Sequence, residues 1–155
     1  MNPISVPIER EAGAEDLPLP RYATAGAAGM DLHAAINEDI YLSPGERILV
    51  STGIRVALPE GFEGQIRPRS GLALKHGLTL VNSPGTVDSD YRNTIKVLLI
   101  NLGREPIAIK CGDRIAQLIV APILRVEWAE VAPGTLPETA RGGDGFGSTG
   151  QSQGK

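Results

Sequence analysis

The chain has 155 residues, of which 41% are hydrophobic and 21% charged, and its net charge at neutral pH is −3. This size and composition predict one globular domain with its own core, and the small negative charge excludes general electrostatic attraction to nucleic acid or an anionic membrane. Cys111 is the only cysteine, which excludes an internal disulfide and is typical of a reducing compartment, while two isolated histidines argue against a zinc site.

The first twenty residues are rich in acidic side chains. They lack the basic segment and apolar run of a signal peptide, and no stretch of the chain is long and apolar enough to span a membrane. The sequence therefore predicts a cytoplasmic protein with neither a nucleic-acid nor a membrane partner.

Short stretches with apolar residues at every second position recur along the chain and predict β-strands. They comprise residues 4–8, 48–50, 54–58, 95–99, 107–109 and 114–120. Turn signals lie between them, and the 19 glycines and 12 prolines exclude long helices almost everywhere. This spacing predicts an all-β sandwich or barrel. Residues 70–76 (SGLALKH) lack strand chemistry and predict at most one short helical turn.

The last fifteen residues, 141–155, contain six glycines and almost no aliphatic side chain. Such a composition is most often a disordered tail, since it cannot supply a core. Arg141 and Phe146 favour a second interpretation, because a Gly-rich segment with Arg, Ser and Thr can wrap a phosphate chain through its backbone N–H groups. We therefore predict a β-domain over residues 1–140 and a flexible glycine-rich arm over residues 141–155.

The first segment whose residues could form a functional site is Pro68-Arg69-Ser70-Gly71. Arg69 is a forked donor that suits phosphate, Ser70 can donate to an oxygen, and Gly71 lets a ligand approach the backbone closely. An exposed turn with a structural arginine explains the same residues equally well, so this segment alone leaves both interpretations open.

A second segment, residues 82–92, has the form of a hairpin turn that leads into the strand at residues 95–99. Asp88 and Asp90 would face the same side of an extended chain, and a carboxylate there can deprotonate a water or hold a metal through water. Asn82 can pair with the edge of a base, and Tyr91 offers a flat apolar face. Two acids at this spacing are more often turn-capping residues.

Two single residues complete the set of candidates. Asp31 lies near glycines, where aspartate is usually a turn former. Gln117 lies within an apolar strand, so its amide must be satisfied either by a structural hydrogen bond or by a ligand.

Together these segments resemble the five ordered motifs of the trimeric dUTPase family. The five segments are residues 25–32 (AGAAGMDL), 68–73 (PRSGLA), 85–92 (GTVDSDYR), 112–118 (GDRIAQL) and 141–150 (RGGDGFGSTG). One motif alone would be weak, but five in the family's order and spacing, spread over residues 20–150, are highly specific.

The resemblance implies a jelly-roll subunit in a homotrimer whose active sites are shared between chains, with the arm closing over a neighbour's site. It implies hydrolysis of dUTP to dUMP and pyrophosphate with Mg²⁺, by attack of water on the α-phosphorus. Such a reaction limits uracil in DNA and supplies dUMP for dTMP synthesis.

The same resemblance implies a role for each matching residue. Asp88 is the expected general base, and Asp31 is expected to hold hydrated Mg²⁺ through water, since magnesium keeps several of its waters. Arg69, Ser70 and Gly71 are expected to bind the phosphate chain with help from Gln117, and Arg141, Ser148 and Thr149 of the arm are expected to contact the γ-phosphate. Gly147 of the arm is also expected to bind the substrate. Phe146 is expected to stack on uracil.

The hairpin is expected to select the base and the sugar. Asn82, with the backbone of Thr86 and Val87, would bind the uracil edge and reject thymine by its methyl group and cytosine by its reversed donor and acceptor. Tyr91 would leave no room for a 2′-hydroxyl, so UTP would be refused. Lys96 is expected either to fix the hairpin or to contact the substrate.

Three positions depart from the usual family pattern without touching the expected base. Asn93 stands where glycine is usual, and we expect the turn to survive because asparagine tolerates left-handed backbone. Val87 replaces a commoner isoleucine, and His33 stands where arginine is frequent.

Three other functions compete with dUTP hydrolysis as interpretations of this sequence. A dCTP deaminase shares the fold, but it needs a glutamate beside the pyrimidine where this chain has Asp88. A non-catalytic nucleotide-binding or protein-interaction module would have lost the acid or the arm, and both are present. A plain structural β-domain does not explain Phe146 in the arm.

Overall fold

Apolar residues alternate with polar ones along short segments, and those segments form the strands of the protein. The computed structural model describes residues 3–144. The elements in chain order are β1 (Ile8–Arg10), β2 (Met30–His33), β3 (Ile40–Leu42), β4 (Arg47–Ser51), β5 (Ile54–Val56), β6 (Phe62–Arg67), α1 (Ser70–His76), β7 (Leu78–Leu80), β8 (Gly85–Val87), β9 (Lys96–Asn101), β10 (Ile107–Ile109) and β11 (Arg114–Pro122). The all-β class with one short helix, predicted for residues 70–76, is confirmed within this range.

The strands pair antiparallel in four small sheets. The largest has the order β2-β11-β6-β8, the second has the order β4-β9-β7, and β1 with β5 and β10 with β3 form two-stranded sheets. Strand β9 shows the alternation clearly, since Val97 and Leu99 are completely buried while Leu98 between them is only partly buried. The buried faces meet in one hydrophobic core, in which Leu32, Ile95, Leu99 and Ile109 are the largest of the completely buried side chains.

The first strand differs from its prediction. The alternation of Ile4 with Ile8 predicted a strand over residues 4–8, but β1 begins at Ile8 and pairs with β5. Pro7 has no N–H to donate to a ladder, although its carbonyl still accepts a hydrogen bond from the N–H of Ala57 (2.9 Å). Ile4 is accordingly left exposed.

Several strands were not predicted at all, and β6 shows why. Its sequence FEGQIR contains a glycine and three polar residues, which hide the apolar alternation. It is nevertheless central, because β11 pairs with one of its edges and β8 with the other. Pairing on both edges outweighs a weak intrinsic strand preference.

Two compact units divide the chain, residues 1–125 and residues 126–155. In the second unit, residues 126–144 form local turns, such as the one in which the N–H and the hydroxyl of Thr135 both donate to the carbonyl of Ala132. Several large apolar side chains there are exposed, including Trp128 at 89%. The boundary at residue 140 and the closing of the arm stay predictions. Within residues 3–144 we find no helix whose length and apolar character would let it cross a membrane.

Candidate active site

Three of the predicted motifs meet at one cavity of about 630 Å³ in the first unit. Strand register brings them together, because Asp31 on β2 lies opposite Gln117 on β11, which in turn lies opposite Arg67 on β6. The chain then turns through Pro68 into α1. The predicted site residues that line this cavity are Asp31, Arg69, Ser70, Gly71 and Gln117.

The carboxylate of Asp31 is held between two arginines. Its Oδ1 lies 2.8 Å from Nε of Arg69, and its Oδ2 lies 3.2 Å from Nη1 of Arg114. A carboxylate has about four acceptor positions, so two remain for other donors. The three groups together carry one net positive charge, which favours an anionic ligand in the cavity.

Arg114 is a residue whose part in this site was not predicted. It belongs to the fourth motif, residues 112–118, but nothing local to β11 indicates that its side chain reaches Asp31. A positive charge three residues before Gln117 in a family motif was the available signal.

The amide of Gln117 is satisfied by a structural hydrogen bond, which is one of the two alternatives that the sequence left open. Its Nε2 donates to the carbonyl of Pro68 (2.9 Å). Its Oε1 lies so close to Gly29 that any side chain at position 29 would overlap it. The side chain of Gln117 is therefore bonded to the segment before α1 and lies against the segment before β2, and its contact with phosphate stays a prediction.

The entry to α1 is open towards the cavity. Arg69 is the N-cap residue in extended conformation, and no side chain caps the helix. Ser70 and Gly71 are exposed. A Cβ added at Gly71 would meet no atom within 4 Å, so packing inside this chain does not require glycine there. Close approach of a ligand to the backbone does provide a reason for it.

A second cavity, of about 270 Å³, lies beside the hairpin formed by β8, the following turn and β9. Its walls are mainly apolar, with Ile66, Leu80 and Val97 among them. The predicted site residues that line it are Asn82, Thr86, Val87, Tyr91 and Lys96. A small apolar cavity with a few polar groups is typical of a site for a flat ring.

The turn between β8 and β9 is held by its own hydrogen bonds. The N–H of Tyr91 donates to the carbonyl of Asp88 (3.1 Å), and the Tyr91 hydroxyl donates to the carbonyl of Thr94 (2.9 Å). The side chain of Asn93 accepts from the N–H of Thr94 (2.8 Å). The turn is thus formed with asparagine at position 93.

Asp88 lines a third cavity, of about 580 Å³, together with Glu63, Asp90 and Arg92. It is exposed and follows the end of β8 directly. Residues 88–91 form a turn within the predicted hairpin, closed by the N–H of Tyr91 on the carbonyl of Asp88, so the two acids do not lie on an extended chain. Both acids nevertheless line the same cavity.

The three cavities share no lining residue. By extension of the register, Asp88 lies level with Glu63, four residues along β6 from Arg67. Three strand spacings across the sheet and four residues along it separate Asp88 from Asp31 by roughly 19 Å between Cα atoms. Side chains of β6 occupy the space between them, since Arg67 donates to Gln65 and Gln65 donates to Glu63.

The arm residues are only partly described. Arg141 belongs to the second unit, where its Nε donates to the carbonyl of Asp144 (3.0 Å). Phe146, Gly147, Ser148 and Thr149 lie outside the described residues, so their expected roles stay predictions.

Comparison with known proteins gives a consistent result. The family model for dUTPase matches residues 15–150. The chain is 56% identical over 148 residues to a deoxyuridine 5'-triphosphate nucleotidohydrolase of Wolbachia pipientis wMel, covering 96% of this chain and 97% of that one. It is 56% identical over 150 residues to a protein of the same name from Rhizobium etli, covering 96% and 95%.

Solved structures have the same fold. A mutant dUTPase of Staphylococcus bacteriophage 80alpha with dUpNHpp aligns with a TM-score of 0.81 at 25% identity, over 94% of this chain and 98% of that one. A mutant dUTPase from phage phi11 of S. aureus aligns with a TM-score of 0.74 at 22% identity, over 86% and 100%, which is a likeness of fold alone.

The match extends over nearly the whole chain and includes the segments that build the three cavities. This chain belongs to the dUTPase family.

Proposed function

We propose that this chain hydrolyses dUTP to dUMP and pyrophosphate. The observation that carries the proposal is the family match over residues 15–150, whose motif residues line one cavity suited to phosphate and another suited to a flat base. The 80alpha phage relative is described with dUpNHpp, an analogue of the same nucleotide.

The phosphate chain belongs in the cavity of Asp31. Arg69 offers a forked donor to phosphate oxygens, Ser70 offers a hydroxyl, and the backbone at Gly71 is open to close approach. Arg114 adds a second cation at the same wall. The anion would thus replace part of the charge that Asp31 now supplies to the two arginines.

The residues present fit a hydrated magnesium ion. Asp31 is a single carboxylate that faces the cavity and keeps free acceptor positions for metal-bound waters, which is how magnesium is usually held beside phosphates. The structure of the phi11 phage relative is described as showing the coordination of a structural Mg(II) ion. When bound, the metal would offset the negative charge that develops on the leaving pyrophosphate.

Asp88 is the proposed general base. Its exposed carboxylate would take a proton from a water while the water oxygen forms a bond to the α-phosphorus. The bond from that phosphorus to the bridging oxygen of the β-phosphate then breaks, and pyrophosphate leaves with the electron pair. The products are dUMP and pyrophosphate.

Uracil is proposed to enter the apolar cavity beside the hairpin. Asn82 and the backbone of β8 would pair with its polar edge, while the walls at Ile66 and Leu80 cover its faces. The ring of Tyr91 would then lie against the deoxyribose and exclude a 2′-hydroxyl. Lys96 lines the same cavity, where it would contact the nucleotide.

A homotrimer with shared active sites is the proposed assembly. One dUTP must reach the groups of all three cavities, but in a single chain those cavities share no residue and Asp31 and Asp88 lie roughly 19 Å apart. Copies related by a three-fold axis would bring the Asp31 cavity of one chain to the hairpin of the next. Apolar side chains among residues 124–136 are exposed in the single chain and could be buried in such an interface. The arm, including Arg141, would complete the site, and a cytoplasmic location stays a prediction.

The first experiment measures pyrophosphate release with Mg²⁺ from dUTP, dCTP, dTTP and UTP in parallel. We expect hydrolysis of dUTP at a kcat/KM at least ~100-fold above the other three, because the hairpin rejects each by a clash or an unpaired polar group. A chelator should abolish it. Ammonia release from dCTP would indicate a deaminase instead, and inertness towards all four would contradict the proposal.

The shared site can be tested by subunit complementation. Asp31→Asn and Asp88→Asn chains, each inactive alone, are co-expressed with different affinity tags and purified through both tags. In every mixed trimer, one of the three sites would pair an intact Asp31 with an intact Asp88 of a neighbour, so activity per trimer should recover to about one third of wild type.

Each single-variant trimer, purified in the same way, is the control for this experiment. Mixed trimers as inactive as the controls would show that both carboxylates of a site come from one chain.

A further inference from the structure

A chain of hydrogen bonds runs behind the Tyr91 hairpin and ends at Glu11, a residue that belongs to no family motif. The hydroxyl of Thr94 donates to Oε1 of Glu11, and the carbonyl of Thr94 accepts from the hydroxyl of Tyr91 (2.9 Å). Two hydrogen bonds therefore separate Glu11 from the ring proposed to exclude a 2′-hydroxyl.

Thr94 is well placed to couple the position of Glu11 to that of the Tyr91 ring. It is only 2% exposed. All three of its polar groups are used, since its N–H also donates to Asn93 (2.8 Å). Loss of the acceptor at its hydroxyl leaves a buried donor unpaired, and the cost of that favours a shift of the residue towards another partner.

Glu11 is itself held firmly. Its backbone N–H donates to the carbonyl of Gly53 (2.8 Å), and its side chain accepts from Nη2 of Arg55 (2.9 Å). The hydrogen bonds from Thr94 and Arg55 lower the pKa of Glu11, so the side chain is an ionised acceptor at neutral pH.

Tyr91 depends on this support more than a buried ring would. Tyr91 is 40% exposed, so packing holds only part of its side chain. The hydroxyl bond to Thr94 fixes the far end of the ring. To exclude the 2′-hydroxyl of a ribonucleotide, the Tyr91 ring must stay in place. A small shift of the ring would make room for that oxygen atom.

We propose that Glu11, acting through Thr94, is a positioning residue that sets the selectivity for deoxyribose over ribose by fixing the Tyr91 ring. The inference rests on the proposed function, because it concerns the sugar of the same substrate. Glu11 touches no substrate in this arrangement.

Glu9 provides a matched control. It also accepts a hydrogen bond from Arg55, at 3.3 Å from Nη1, but it has no hydrogen bond to Thr94 and its side chain is more exposed than that of Glu11. Replacing Glu9 therefore removes a carboxylate from the same arginine and leaves the path to Tyr91 intact.

The test compares Glu11→Ala, Glu11→Gln and Glu9→Ala by the ratio of kcat/KM for dUTP to kcat/KM for UTP. The ratio should fall roughly five- to tenfold in Glu11→Ala, the effect of one hydrogen bond. It should be largely restored in Glu11→Gln, which keeps an acceptor oxygen, and unchanged in Glu9→Ala. In a Tyr91→Phe background, Glu11→Ala should change the ratio by less than twofold.

Equal losses of activity with both nucleotides would make Glu11 merely structural and overturn the proposal. Wild-type protein that hydrolyses neither nucleotide would instead refute the proposed function. A second measurement does not depend on catalysis: with ¹³C-labelled tyrosine, the NMR signal that disappears in Tyr91→Phe should shift or broaden in Glu11→Ala and not in Glu9→Ala. An unaltered signal in Glu11→Ala would also overturn the proposal.

Discussion

Replacement of Asp88 by asparagine is expected to lower kcat by about 10²–10⁴-fold while dUTP binding is largely retained. The amide cannot accept the proton of the attacking water, yet Asp88 lines neither the cavity of Asp31 nor the one beside Tyr91. Stopped-flow turnover gives the rate, and calorimetric titration with a non-hydrolysable analogue gives the affinity.

Asp90→Asn is the control for this prediction, because Asp90 lies in the same turn and lines the same cavity as Asp88. It should retain most of the activity. If Asp88→Asn turned over at the wild-type rate, the base would have to be another group, and Asp90 would be the first to examine.

Deletion of residues 141–155 is expected to lower kcat/KM at least ~100-fold, because the arm is proposed to bring several phosphate donors and the Phe146 ring to the site. The fold should be unaffected, since the core residues all lie within the first unit. Circular dichroism and size-exclusion chromatography check the fold and the assembly, and pyrophosphate release gives the activity.

Deletion of residues 151–155 alone is the matched control, because those five residues follow the last motif. It should leave the activity near wild type. A protein that lacks residues 141–155 and still hydrolyses dUTP at full rate would refute the role of the arm.

The carboxylate of Asp31 orients two arginines of the phosphate site before a substrate binds. Arg69 and Arg114 approach different oxygens of the same carboxylate, so both guanidinium groups are already oriented at the cavity wall before phosphate arrives. Donors that are fixed in advance cost less ordering when a ligand binds. Asp31 thus has a structural part in the phosphate site besides its proposed part in holding the metal.

The local features of this protein follow from its sequence. Alternating apolar residues determine the strands around Val50 and Val97, and the SGLALKH segment determines the helix, because each depends on spacing within a few neighbouring residues. The five motifs determine the family, since residue types in a set order are read directly from the chain. The predicted persistence of the turn at Asn93 belongs to the same class.

The tertiary structure alone decides which side chains meet. The side chain of Arg114 reaches Asp31, that of Gln117 donates to the carbonyl of Pro68, and Glu11 accepts a hydrogen bond from Thr94, 83 residues further along the chain. These contacts depend on strand pairings that no local pattern indicates. It also decides that Asp31 and Asp88 of one chain line separate cavities. The physical reason is that a strand's own residues determine its existence, while its register and its neighbours are set by long-range pairing and by burial of the shared core.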